Sequence, residues 1–141
     1  MSTNFWSPAL FDQFVFPHIR TLAAAAHGHG KKFAYVMTIG VEILGPRLAE
    51  TGVHVWYFVD PIGPVQKGLA QEKIRDLLSD SITLVGGISS ITLSNRSFAA
   101  IDRNVKHALE VLGSTAGSSC ILWMAWFPDT PWESVKWMID A

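Results

Sequence analysis

A chain of 141 residues with a net charge of −1 is the size of one domain. At that length roughly 68–70% of the unfolded surface can be buried, so neither a disulfide nor a structural metal is required. The lone Cys120 excludes an intramolecular disulfide framework, and near-zero charge argues against nucleic acid as the partner, since phosphate-reading surfaces show a basic excess.

The start, Met1 to Trp6, has no basic segment followed by an apolar one. No apolar run reaches the ~18 residues of a membrane span. The expectation is a soluble, cytoplasmic protein without a membrane partner. The chain is 49% hydrophobic and 16% charged, with six Trp, whereas average domains are about 25% charged. Apolar surface is therefore expected to be covered by another protein or by a second copy of the chain.

In chain order, Ser7-Pro8 reads as a helix cap followed by Pro at the first helical position. Phe11, Val15, His18 and Leu22 recur at helical spacing. Pro17 would cost ~3 kcal/mol inside a helix, so the stretch predicts two helices, about 8–16 and 17–26, ended by His27-Gly28-His29-Gly30. Phe33 to Ile39 is the first strand, closed by Gly40. Val41 to Leu44 are ambiguous before Pro46, and 46–51 read as a short helix with Gly52 past its end.

Val53-His54-Val55-Trp56-Tyr57-Phe58-Val59 is an unbroken apolar and aromatic run stopped by Asp60 and the Pro61–Pro64 turn. A strand wet on one face alternates; this one does not, which predicts a central strand covered on both faces. Residues 66–79 form a helix with Ala70, Ile74, Leu77 and Leu78 inward and Glu72, Lys73, Arg75 and Asp76 outward. Residues 81–85 form a third strand, broken by Gly86-Gly87. Residues 88–93 read as a shorter fourth, in which case 82–93 forms a hairpin. Asn95 or Ser97 caps a helix whose face is Phe98, Ile101, Val105, Ala108, Leu109 and Leu112. On its other side Asp102 and Lys106 form an i,i+4 pair. Residues 121–127 are the last strand. Thr130-Pro131-Trp132-Glu133 starts a final helix.

Helices alternating with continuous apolar strands predict one α/β domain over 1–141. The expected architecture is a three-layer, Rossmann-like α/β/α sandwich of about five strands, parallel throughout or mixed if the hairpin forms. Ligands in such sheets bind at the carboxyl ends of the strands.

The strand, turn, helix, strand and terminal acid from Tyr35 to Asp60 are similar to the opening of Rossmann-like S-adenosylmethionine-dependent methyltransferases. That resemblance implies a nucleotide-type ligand between the Gly40 turn and Asp60, whose carboxylate would hold ribose hydroxyls. The turn itself, Gly40-Val41-Glu42-Ile43-Leu44-Gly45, carries bulky side chains where such loops use glycine, and Thr38 stands where that family carries an acid.

Other candidates have plainer readings. His27 and His29 lack the spacing of a zinc site and fit a helix end. His54 reads as a core histidine, His107 as solvated and Cys120 as a buried thiol. No nucleophile elbow, paired carboxylates or phosphate loop occurs. Trp126, Trp132 and Trp137 remain as aromatic anchors. The last two lie about 140° apart on their helix at ~100° per residue, so one is expected at the surface.

The reading that follows is a protein-binding domain without catalytic residues, metal or cofactor, which covers a partner protein in the manner of bacterial immunity proteins that neutralise a toxin. The alternative is a degenerate nucleotide- or S-adenosylmethionine-binding, methyltransferase-like domain.

Overall fold

The computed structural model describes residues 7–37, 41–57, 59, 71–78, 81–113, 120–124 and 127–141. Helices α1 (Pro8–Phe14) and α2 (Phe16–Gly28) meet at Val15, which ends one and begins the other. Ser7 accepts a hydrogen bond from the Leu10 amide at 3.3 Å, the expected cap. Pro17 falls in the first turn of α2, where its missing N–H has no intrahelical partner to lose. The glycine that stops α2 is Gly30, at φ +64°. Gly30 N–H bonds to His27 O at 2.9 Å and Lys31 N–H to Ala26 O at 2.8 Å, the paired bonds of a helix closed by a left-handed residue.

Four strands follow: β1 (Ala34–Val36), β2 (Val55–Tyr57), β3 (Thr83–Ile88) and β4 (Cys120–Met124). They form one sheet in the order β1-β2-β3-β4, and every pairing is parallel. Between them lie α3 (Val41–Ala49), α4 (Gln71–Leu77), α5 (Ser90–Ser94) and α6 (Phe98–Gly113), and α7 (Trp132–Asp140) ends the chain. The protein is thus an α/β fold with a four-stranded parallel sheet flanked by helices.

Three sequence expectations are corrected. Pro46 does not start α3 but lies inside it. Gly86 and Gly87 do not break β3: the strand runs through them with φ of 138° and 94°, paired to Leu122 and Trp123. A Cβ on Gly87 would stand 3.2 Å from both Ala108 Cβ and Leu112 Cδ1 of α6. Glycine is there for a left-handed backbone and for close packing of strand on helix. Finally, 88–93 is not a separate strand: Ile88 ends β3 and the chain then turns into α5. Ser89 caps α5 by accepting from the Thr92 amide at 3.3 Å, so no hairpin forms and the described sheet is not mixed.

The register Tyr35↔Trp56↔Leu84↔Cys120 defines one face of the sheet. Trp56 and Leu84 are fully buried there, in one cluster with Phe11, Ile19, Leu48 and Ile101 of the helices. Parallel crossovers are almost always right-handed, so strands laid down in sequence bring successive helices to one face. In α6, Ile101, Val105, Ala108 and Leu112 are buried as the periodicity predicts, each contributing about 1.5–3 kcal/mol of apolar burial at the larger residues. Phe98 and Leu109 of the predicted stripe are instead exposed.

Arg75 was expected to point outward but is buried. Its Nη2 donates to Leu112 O at 2.8 Å and its Nη1 faces Ile82 O at 3.5 Å. The guanidinium thus serves one carbonyl of the last turn of α6, where a cation also suits the helix dipole, and faces one just before β3. No described helix is long and apolar enough to cross a membrane.

Candidate functional site

Parallel α/β sheets place ligands at the carboxyl ends of their strands. At the end of β3 the structure gathers a polar cluster that sequence reasoning missed. Gln71, the first residue of α4, is 2% exposed. Its Nε2 donates to Val59 O at 3.1 Å, just past β2, and to Gly87 O at 3.0 Å, near the end of β3. Asn104 of α6 donates from Nδ2 to the same Gly87 O at 3.2 Å, and its Oδ1 accepts from the Ser89 amide at 2.9 Å. Two amide side chains from two helices therefore clamp the exit of β3.

The clamp fixes the orientation of Gln71. Both hydrogens of its amide nitrogen are directed at carbonyl oxygens, which a flipped amide would not satisfy. Its Oε1 is buried and has no hydrogen-bond partner among the described residues. A buried acceptor without a donor costs about 1–3 kcal/mol. That oxygen keeps unused accepting capacity at the carboxyl end of β2 and β3. The signal for Asn104 was a poor helix former in mid-helix. Nothing in the sequence near Gln71 pointed to it.

Gly40, Asp60 and Trp126 lie outside the described residues. Trp132 is 56% exposed, while Trp137 is half-buried with its ring edge-on to Phe98 at 5.9 Å. Of the two, Trp132 is the one at the surface. On α7, Ser134 and Val135 are buried, whereas Ile139 is exposed.

His54 is hydrogen-bonded, as a core histidine is expected to be, but it is only half-buried. Its Nδ1 lies 3.0 Å from His27 Nε2 and 3.4 Å from the Phe33 amide nitrogen. Burial pushes its pKa down, with the charges of Lys32 and His27 acting in the same direction. This pair sits at the amino-terminal end of the sheet, the face associated with stability rather than chemistry in parallel folds. His107 is placed 3.2 Å from Glu72 Oε1, both exposed. Cys120 is half-buried, and burial raises its thiol pKa, opposed by Arg75. No group of three or more His, Cys, Asp or Glu side chains is arranged to hold a metal among the described residues.

Comparison with known proteins gives two findings. The family model described as uroporphyrinogen decarboxylase (URO-D) matches residues 1–141. Among solved structures, a methyltransferase from Methanosarcina mazei superposes with a TM-score of 0.71 at 23% identity, over 99% of this chain and 38% of that one. The chain thus spans 38% of the length of that protein, and the likeness concerns the fold. No curated protein matches the chain.

Proposed function

The chain belongs to the uroporphyrinogen decarboxylase (URO-D) family, and from that membership we propose that it handles a small molecule, in chemistry of the methyl-transfer kind, at the carboxyl ends of β2 and β3. The immunity-protein reading gains no support from the family match, which favours the methyltransferase-like alternative. The fold is shared with a protein named a methyltransferase.

The observation that carries the reading is the buried Gln71 Oε1, held by two hydrogen bonds of its own amide and left with no partner among the described residues. A polar substrate with one N–H or O–H fits it. A site of this kind needs few polar groups, provided they are fixed in direction.

Thermal-shift titration tests the reading with two probes, S-adenosylmethionine as a methyl donor and uroporphyrin as a tetrapyrrole. The expected result is a saturable rise in Tm with the methyl donor, reduced in Gln71→Met. A rise with uroporphyrin alone replaces methyl transfer by tetrapyrrole decarboxylation. No rise with either overturns the proposal.

A second reading rests on Trp132, whose exposed indole on α7 suits a protein contact. Under it, Trp132→Ala abolishes binding of a co-purifying protein; unchanged binding removes it.

A further inference from the structure

The His27–His54 pair stands at the opposite end of the strands from Gln71, and its spacing suits a metal ion. Two nitrogens bound to one ion at about 2.0–2.1 Å lie about 3.3–3.4 Å apart at a tetrahedral angle and about 2.8–3.0 Å apart at a right angle. The 3.0 Å between His27 Nε2 and His54 Nδ1 is the right-angle value. Nitrogen ligands at right angles belong to the square-planar and tetragonal ions Cu(II) and Ni(II), rather than to four-coordinate Zn(II).

The fold builds this contact from separate elements. His27 lies in the last turn of α2 and His54 just before β2. Gly52 makes room for the His27 ring, since a Cβ there would stand 3.1 Å from His27 Cε1, and at φ +84° the position favours glycine. The ring planes are 70° apart, so the rings are not stacked face to face. His27 is exposed and His54 half-buried, which gives an ion a path from solvent.

What an ion would displace is modest. The Phe33 amide nitrogen, 3.4 Å from His54 Nδ1, is beyond the about 2.7–3.2 Å usual for an N–H donor. Ligation at His27 Nε2 moves the ring hydrogen of His27 to its Nδ1, with no proton lost from the pair. His29 is tied to its own helix, its Nδ1 bonding to Ala25 O at 2.8 Å. No third His, Cys, Asp or Glu completes the set among the described residues, so water takes the remaining positions. The charge of Lys32 faces His54 and opposes a cation. Both facts set the affinity below that of a closed site with a full set of protein ligands.

We propose that His27 and His54 form a binding site for Cu(II) or Ni(II), which takes the two imidazoles in neighbouring positions and clips the end of α2 to the approach to β2. The ligands are 27 residues apart, so the ion closes a loop and restricts the unfolded chain. The inference does not rest on the methyl-transfer reading: it concerns the other end of the strands, and its measurement is metal binding.

Titration of the untagged, chelator-treated full chain with Cu(II), Ni(II) and Zn(II) chlorides tests it, with calorimetry and thermal unfolding as readouts. The expected result is one Cu(II) or Ni(II) per chain and a saturable rise in Tm, with a Cu(II) electron paramagnetic resonance spectrum split by two nitrogens. His27→Ala and His54→Leu should each weaken binding by about tenfold or more, while His29→Ala leaves it unchanged. No saturable binding below about 1 mM overturns the proposal. So does unchanged affinity in His27→Ala or in a folded His54→Leu, or an equal loss in His29→Ala, which would make His27-Gly28-His29 a local chelator. Zn(II) binding more tightly than Cu(II) overturns the right-angle geometry. If His54→Leu does not fold, His27→Ala, at an exposed position, decides together with the nitrogen splitting.

Discussion

His27 Nε2 lies 3.0 Å from His54 Nδ1, which joins the end of α2 to the approach to β2. The Phe33 amide nitrogen lies 3.4 Å from the same Nδ1. A backbone N–H can only donate, so His54 Nδ1 is the acceptor and His27 Nε2 carries the shared hydrogen. Adding a proton to His54 Nδ1 removes the acceptor of the Phe33 amide and forces His27 to change tautomer to keep its contact. Gly52, at φ +84°, leaves room for the contact: a Cβ there would stand 3.1 Å from His27 Cε1.

The first prediction is a loss of stability in mild acid. The folded-state pKa of His54 is lowered from 6.5, first by burial and then by Lys32 and His27. Below pH 6.5 the unfolded chain takes up a proton that the folded chain still refuses. The contribution of this pair is therefore present above about pH 6.5 and is lost as pH falls toward the folded pKa. The urea midpoint should drop between pH 7.5 and 5.5, and drop less in His54→Leu. Equal slopes in the two proteins would contradict the assignment.

Gln71→Ala removes two amide hydrogen bonds, one to Val59 O and one to Gly87 O, the second of which keeps Asn104 as a donor. The expected cost is about 2–3 kcal/mol in urea unfolding. Asn104→Ala acts on the same carbonyl. The two losses should not add, since the sites share a partner. Strict additivity in the double variant would show that the amides act independently.

What the sequence revealed depended on how local the cause was. The amphipathic period of α6, the Ser7-Pro8 start and the Asp102–Lys106 pair, 2.7 Å apart, are set within a few residues and were readable. Gly86-Gly87 reads locally as a breaker. Its real constraint is remote, from α6 pressing on one side and β4 pairing on the other. Arg75 looked like part of a solvated face because Leu112, whose carbonyl it serves, is 37 residues away. The Gln71–Asn104 clamp was invisible for the same reason: its acceptors are backbone groups of other elements, which no side-chain pattern announces. The nucleotide reading rested on Gly40 and Asp60, outside the described residues.

Arg75→Met keeps most of the volume of the side chain but not the bond from Nη2 to Leu112 O at 2.8 Å. The last turn of α6 then loses a donor in a buried setting. A decrease of about 1–3 kcal/mol is expected, with faster amide exchange in the last turn of α6 and none at its start. A uniform change along α6 would mean that the guanidinium supports the core as a whole.

Gly87→Ala should be the most damaging of the small substitutions. An L residue at φ +94° is strained by about 1–2 kcal/mol. The added methyl also meets Ala108 Cβ and Leu112 Cδ1 at 3.2 Å, where α6 must move away from β3. Overpacking of that kind costs about 1–3 kcal/mol more, for a combined loss of about 2–5 kcal/mol in urea unfolding. Pairing Gly87→Ala with Leu112→Val, which opens space beside the new methyl, should recover the steric part and leave the backbone part. If Leu112→Val restores nothing, the close approach of α6 is not what requires glycine at this position, and the left-handed backbone alone is.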